Sequence, residues 1–173
     1  PADVDGEGDP CQLAEARQTT FARRKRLKTS TPTNKGASRI ESAFDTSDAN
    51  RYHVACPHCG THQPLEWGTD KPHGLRWTKD DAGAPMLASV RYVCAANGCE
   101  ILEHEKPTML QTGRWVSTHE SSRPGRLTGY HLNALYAPLG WVSWADLVQQ
   151  FTEAAHAAKM GDISKLKTFT NTA

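Results

Sequence analysis

Four of the five cysteines of this chain form two close pairs. The first pair lies in the run Cys56-Pro57-His58-Cys59-Gly60, and the second, Cys94 and Cys99, encloses Ala95-Ala96-Asn97-Gly98. Thiolates at such spacing on a tight turn can bind one metal ion, and the glycine after Cys59 permits the left-handed backbone of the turn. Four thiolates suit tetrahedral Zn²⁺, so Cys56, Cys59, Cys94 and Cys99 are predicted to hold a structural zinc ion.

Other chemistries fit these cysteines less well. A redox-active first pair is typical of a βαβ unit and does not require the second pair. His58 and His62 could replace a ligand, but four thiolates already complete the coordination of zinc. A disulfide framework is not expected, because no run is typical of a secretory leader. Cys11 stands apart on a predicted helix, where a small buried residue is expected.

A zinc site closed by four thiolates is structural, because it leaves no position for an activated water. It predicts a zinc ribbon whose surface presents basic and aromatic groups to a nucleic acid or a protein. The alternative is that the aromatic residues form the ribbon's own core. The side chains concerned are Arg51, Tyr52, Trp67, Lys71, Trp77, Arg91 and Tyr92. The histidines without ligand spacing are interpreted as surface or packing residues: His53, His73, His104, His119, His131 and His156.

The run Ser30-Thr31-Pro32-Thr33 is a second candidate site. Residues 23–29 are predicted to form a strand, and the hydroxyl cluster would follow its carboxyl end. In open α/β folds nucleotides bind at that edge of the sheet, where Ser30, Thr31 and Thr33 could each hydrogen-bond a phosphate oxygen or an attacking water. An ordinary turn rich in Ser, Thr and Pro is the alternative, and spacing alone favours the turn.

The elements that position these sites follow from capping residues and periodicity. Asp9-Pro10 predicts a helix start, and Ser38-Arg39-Ile40-Glu41 predicts a second helix that begins with a capping box. Ser143 precedes the strongest helical pattern, which ends at Gly161. The predicted strands are 51–55, 63–67, 75–77, 89–93, 114–117 and 126–132, with a helix over 103–112 and an amphipathic stretch over 163–169.

Composition and charge limit the class of protein. The 173 residues are 38% hydrophobic and 23% charged, which predicts one ordinary domain or two small ones and argues against disorder. No apolar run approaches the roughly 20 residues of a membrane helix. The net charge of +1 conceals an acidic start and a basic stretch over 17–39, which can contact phosphate or form a solvated helix end and edge strand. A chain that begins at Pro1 is expected to be a fragment or a processed piece.

Taken together, several stretches resemble the large terminase subunit of tailed phages, the lambda-like GpA family. Each motif alone is weak, but their order is specific and spans nearly the whole chain. They are Gly6-Glu7-Gly8-Asp9-Pro10, Ser30-Thr31-Pro32-Thr33, Gly36, Ser38-Arg39-Ile40, Ser47-Asp48, Arg51-Tyr52, Cys56-Pro57-His58-Cys59-Gly60, Gly113-Arg114-Trp115-Val116, Gly129-Tyr130-His131-Leu132-Asn133-Ala134-Leu135-Tyr136, Ser143-Trp144 and Phe169-Thr170-Asn171-Thr172.

This resemblance implies an α/β fold in three parts. Residues 1–47 would be the C-terminal portion of a P-loop ATPase sheet, residues 48–115 a four-cysteine zinc-ribbon insertion, and residues 116–173 an α+β connector toward a nuclease domain. Of the family's ATPase motifs only the coupling motif falls in this sequence, at Ser30, Thr31 and Thr33. No G-x-x-x-x-G-K-S/T run occurs, and the family's Asp-Glu pair and nuclease carboxylates are expected outside these residues.

The implied function is that of an ATP-driven motor and endonuclease that cuts viral DNA and translocates it into a procapsid. The intact subunit would use ATP and Mg²⁺, and its partners would be double-stranded viral DNA, the small terminase subunit, the portal and further copies of itself. The implied location is the cytoplasm of an infected or lysogenic bacterial host, away from membranes. On its own, this chain is expected neither to hydrolyse ATP nor to cut DNA.

Two alternatives stay open at this point. One is a stand-alone zinc-ribbon module that binds nucleic acid or a protein, and the other is a structural zinc domain of an unrelated enzyme. A P-loop and an Asp-Glu pair upstream would favour the terminase.

Overall fold

A computed structural model of the protein describes residues 8–32, 36 and 38–172. The chain divides into two compact units, Pro1–Ser30 and Thr31–Ala173. The first unit contains helix α1, Pro10–Arg17. Asp9 caps this helix by accepting a hydrogen bond from the backbone N–H of Cys11 at 2.8 Å, which confirms the predicted helix start. Cys11 is exposed, so its predicted burial is wrong; α1 buries none of its residues and offers no core.

The strand predicted over 23–29 is also wrong. Residues 24–30 form no regular secondary structure and are exposed. Their basic side chains turn back to α1: Arg26 Nη1 lies 2.8 Å from one carboxylate oxygen of Glu15, and Lys28 Nζ lies 2.5 Å from the other. Arg24 donates to the carbonyls of Thr19 and Phe21. A strand needs a partner strand, and none of the described residues of this unit supplies one.

Helix α2, Arg39–Asp45, opens the described part of the second unit. The helix is confirmed, with Ser38 as its N-cap, but the capping box is wrong. Ser38 makes no side-chain capping hydrogen bond. The carboxylate of Glu41 instead accepts a hydrogen bond from the backbone N–H of Gly36 at 2.7 Å, so it closes the preceding turn.

Two small, mainly antiparallel sheets carry the middle of the chain. In the first, β1 (Asn50–Ala55) pairs antiparallel with β2 (His62–Pro64) and β6 (Arg114–Val116), and parallel with β7 (Tyr130–His131). In the second, β4 (Arg91–Val93) lies between β3 (Gly74–Arg76) and β5 (Glu100–Ile101). The strand predicted over 126–132 is therefore only two residues long, and the start of the one predicted over 89–93 is a 3₁₀ turn, Leu87–Ser89.

Among the described residues, three further α-helices follow: α3 (Lys106–Gln111), α4 (Trp144–Lys159) and α5 (Ser164–Thr172). Ser143 and Asp146 form a reciprocal capping box at the start of α4, with both hydrogen bonds at 2.9 Å. Gly161, at φ +100°, follows the helix end, as the left-handed residue after a helix commonly does. No described helix is both long and apolar enough to cross a membrane.

One core joins both sheets to α3 and α4. Val54, Tyr92, Ile101 and Trp144 are completely buried at its centre. Tyr92 was one of the aromatic residues with two possible roles, and its burial places it in the core. Trp67 and Trp77 pack with Phe151 of α4 and Phe169 of α5 in a cluster of aromatic rings with centroids 5.2 to 6.1 Å apart. The protein is therefore a mixed α/β structure built around small antiparallel sheets.

Candidate metal centre

The first cysteine pair lies on the turn between β1 and β2. The backbone N–H of Cys56 donates to the carbonyl of Thr61 at 2.9 Å, and that of Gly60 donates to the carbonyl of Cys56 at 2.8 Å. Gly60 has φ +71°, a conformation that L side chains rarely adopt. Cys56 is buried, and Cys59 is half-buried. The turn thus presents two sulfur atoms on one side of a short hairpin.

The second pair lies on the turn between β4 and β5, and its backbone repeats the first. Cys94 N–H donates to the carbonyl of Cys99 at 2.9 Å, Gly98 N–H donates to the carbonyl of Cys94 at 3.0 Å, and Gly98 has φ +64°. In this alignment of the turns, Cys94 corresponds to Cys56 and Gly98 to Gly60. Asn97 then stands where the first turn has Cys59, and Cys99 stands where the first turn has Thr61. The second pair is therefore spaced more widely because its second cysteine, Cys99, lies two positions further along a turn of the same type.

The two turns bring the four thiols together. All four Sγ atoms lie within 4.8 Å of one another, and Cys59 Sγ lies 3.8 Å from Cys94 Sγ. A tetrahedral zinc site with Zn–S bonds of about 2.3 Å requires sulfur atoms about 3.8 Å apart. The donor chemistry and this spacing both fit a zinc site with four cysteine ligands.

The electrostatic environment of the thiols differs from one to the next. Hydrogen bonds from Thr61, and then from the Asn97 side chain, lower the pKa of Cys59 to about 6. Burial raises the pKa of Cys56 to about 12 and also raises the pKa of Cys99. Without a cation, Cys59 thus ionises more readily than Cys56 or Cys99, and a metal that recruits those two thiols must displace their protons.

Side chains from the core hold the two turns against each other. Gln63 of β2 is buried, and its Oε1 accepts a hydrogen bond from the backbone N–H of Ala95 at 2.6 Å. The hydroxyl of Tyr92 accepts from the backbone N–H of Glu66 at 3.2 Å and donates to the carbonyl of Pro64 at 3.3 Å. The two sheets are therefore tied together beside the cysteines as well as through them.

The hydroxyl cluster occupies a different setting from the one predicted. Ser30 and Thr31 are exposed, and they fall on opposite sides of the division between the two units. Thr33 lies outside the described residues. Because residues 24–30 are not a strand, the structure does not place Ser30 at the carboxyl end of one.

A polar cavity in the second unit could not be predicted from the sequence. His53 and His131, interpreted as surface or packing residues, line it together with Arg51 and Lys71. β1 and β7 bring Arg51 and His131 side by side as register partners. Their separation of 80 positions along the chain leaves no local signal from which the pairing could be predicted.

Comparison with known proteins identifies the family. Residues 1–115 match the model of the phage terminase large subunit gpA ATPase domain, and residues 127–173 match that of the terminase large subunit gpA endonuclease domain. The chain belongs to the gpA family of phage terminase large subunits.

Two members of this family are similar to nearly the whole chain. The terminase large subunits of Escherichia phage lambda and of Enterobacteria phage P21 are each 32% identical to it, over 98% of this chain and 27% of their own length. The chain thus spans about a quarter of the length of these curated relatives. No solved structure matches it.

Proposed function

We propose that this chain is the part of a terminase large subunit in which the packaging ATPase meets the endonuclease. The observation that carries the proposal is that matches to both domains lie within one chain, over residues 1–115 and 127–173. The intact subunit would cut double-stranded viral DNA and use ATP to translocate it into a procapsid. Its partners would be the small subunit, the portal and further copies of itself, in the cytoplasm of an infected or lysogenic host.

The proposed boundaries are 1–47 for the end of the ATPase sheet, 48–115 for the zinc-ribbon insertion and 116–173 for the connector. The two family matches leave residues 116–126 between them, which supports a boundary close to residue 116.

Cys56, Cys59, Cys94 and Cys99 are proposed to hold a structural zinc ion. Their shared donor chemistry and the spacing of their sulfur atoms support this assignment. A bound zinc ion supplies a cross-link of four metal–thiolate bonds and leaves no position open for catalysis. The four cysteines would fix the turn of one sheet to the matching turn of the other. The zinc ribbon would then be a rigid insertion.

Ser30, Thr31 and Thr33 are proposed as the coupling motif of the ATPase. Hydroxyl groups in such a turn can hydrogen-bond a terminal phosphate, and its loss would release the turn and shift neighbouring elements. Residues outside this sequence would hold ATP and Mg²⁺, because no P-loop occurs within it. This chain's contribution is therefore to sense the nucleotide and to transmit the change.

The metal assignment is tested by elemental analysis of the purified 173-residue chain. One zinc ion per chain is expected, with its loss in Cys56→Ser and Cys94→Ser. Cys11→Ser is the matched control, because that thiol is exposed and outside the cluster. A zinc content that is unchanged in both cluster variants would overturn the assignment.

The motor assignment is tested in the intact subunit that contains this sequence. Replacing Thr31 by Ala is expected to leave ATP binding in place while ATP-driven DNA translocation is lost. Replacement of Ser117, an exposed hydroxyl outside the motif, is the control. Translocation at the unmodified rate in the Thr31 variant would remove this residue from the coupling role.

A further inference from the structure

A polar cavity of about 470 Å³ opens beside the first sheet. Arg51 and His53 of β1 and His131 of β7 line it, and Glu66 and Lys71 lie on the segment that follows β2. These residues lie outside the cysteine cluster and outside the hydroxyl turn. The cavity is thus a separate site, with its own charge and its own hydrogen-bond donors.

Arg51 is the central charge of this cavity. Its Nη1 lies 2.9 Å from His131 Nδ1, and its guanidinium carbon lies 5.2 Å from the centre of the Phe44 ring. An arginine is always a donor, so Nδ1 of His131 accepts and its proton is on Nε2. Among the described residues, no carboxylate forms an ion pair with Arg51. This half-buried guanidinium is therefore oriented and retains unused donors.

Both histidines of the cavity lie in a positive environment. Burial lowers the pKa of His131, and Arg51 lowers it further. Burial also lowers the pKa of His53, with added contributions from Arg114 and His62. Each ring is then neutral near pH 7 and offers one N–H donor without adding a proton.

Other polar side chains of the cavity already form ion pairs or hydrogen bonds within the protein. Lys71 forms an ion pair with Glu66, the one acid among the described residues of the lining, and this carboxylate also lies 3.4 Å from His73 Nε2. The amide nitrogen of Asn133 donates to the carbonyl of Leu65 at 2.8 Å, and the Thr118 hydroxyl donates to the carbonyl of Ala49 at 3.0 Å. Arg51, His53 and His131 thus remain as the groups that can bind a ligand, and all three are donors.

We propose that this cavity binds a phosphate group, anchored by Arg51 and hydrogen-bonded by His131 and His53. A guanidinium flanked by neutral N–H donors suits a phosphate oxygen, because arginine presents a planar fork of donors and the rings add no repulsion between cations. The phosphate belongs either to the DNA backbone or to a nucleotide. Only the choice of DNA as a source rests on the proposed packaging function.

The test is a titration of the 173-residue chain with three probes: a DNA duplex of arbitrary sequence, ATP and inorganic phosphate. NMR of the imidazole resonances reports directly on the unmodified chain. Saturable shifts of His53 and His131 are expected with at least one probe, while His156, exposed on α4, stays unchanged. Shifts with DNA alone identify the backbone as the source, and shifts with ATP alone identify a nucleotide. No shift of either cavity histidine with any probe would overturn the proposal.

Two arginine variants separate the cavity from general charge. Arg51→Gln is expected to weaken binding of the active probe by about tenfold. Arg91→Gln removes the same charge from β4, where the arginine is paired with Glu100 of β5, and is expected to have little effect. If DNA is the ligand, the salt dependence of binding should also fall by about one unit of slope in the Arg51 variant alone. Equal weakening of binding in both variants would show that binding depends only on net charge, and this would contradict the proposed site. Zinc content tests the metal assignment independently. A negative result for the cavity would therefore not contradict the proposed function.

Discussion

The ammonium nitrogen of Lys106 lies 5.3 Å from the centre of the Trp144 ring, and both residues are completely buried. Glu103 completes the arrangement: its Oε1 accepts hydrogen bonds from Lys106 Nζ at 2.7 Å and from the backbone N–H of Trp144 at 2.9 Å. One carboxylate thus neutralises a buried cation and satisfies the first N–H group of α4. This contact joins a segment matched by the ATPase model to a helix matched by the endonuclease model.

Replacing Glu103 by Gln is expected to lower the free energy of unfolding by about 3 kcal/mol, because it leaves the Lys106 ammonium buried without a counter-charge. Partial exposure of the Glu103 side chain, at 23%, favours the lower end of the range for buried pairs. Urea denaturation measures the loss. The double variant Glu103→Gln with Lys106→Met removes both charges and should recover much of the stability. A single Glu103 variant as stable as the unmodified chain would contradict this account.

The capping box of α4 predicts a dependence of stability on pH. Hydrogen bonds from the backbone and hydroxyl of Ser143 hold the pKa of Asp146 below its ordinary value. A carboxyl with a depressed folded-state pKa stabilises the protein above its unfolded pKa, about 3.9, and this contribution is lost as the pH falls through the folded-state value. The stability difference between the unmodified chain and Asp146→Asn should therefore be present at neutral pH and vanish in acid. Urea denaturation at a series of pH values measures it, and a constant difference would contradict the prediction.

Local sequence signals predicted the elements that depend on neighbouring residues. Asp9 and Ser143 mark helix starts because a capping side chain acts within a few positions of itself. The strand prediction over 23–29 was wrong, since a local stretch of sequence cannot reveal whether a partner strand exists. Its side chains bind Glu15 of α1 instead. The burial of Lys106 could not be predicted from the sequence either, because it depends on Glu103 and on a helix that begins 38 positions later.

The candidate sites also differ in whether they depend on neighbouring residues or on long-range contacts. The cysteine pairs were visible because each lies on one turn. The equivalence of Asn97 and Cys59 needs the backbone hydrogen bonds of both turns, and the pairing of Arg51 with His131 needs a parallel contact between β1 and β7. Long-range contacts of this kind leave no local pattern in the sequence.

Removal of the metal is expected to loosen the two turns and to spare the rest of the unit. The cysteines come from two different sheets, so a metal that binds all four cross-links them, whereas α4 is held by the buried core. Treatment with a chelator should increase hydrogen exchange at the amides of Cys56, Gly60, Cys94 and Gly98, and lower the thermal midpoint. Protection in the middle of α4 is the internal control. Exchange that rises equally throughout the unit would instead mean that the metal is needed for the whole fold.

The repeated backbone of the two turns predicts that the shifted ligand can be moved back. Asn97 occupies the position that corresponds to Cys59, and its side chain helps to lower the pKa of the Cys59 thiol. Cys99→Ser alone should therefore lose zinc, while the double variant N97C with Cys99→Ser should regain it with the tighter spacing of the first pair. Elemental analysis and competition with a chromophoric chelator measure the zinc content and affinity of each variant. A thiol added at Ala96, which has no counterpart among the ligands of the first turn, is the matched control and should not restore binding. Equal recovery from positions 96 and 97 would show that mere proximity suffices, and the equivalence of the two turns would then not determine where a ligand can be placed.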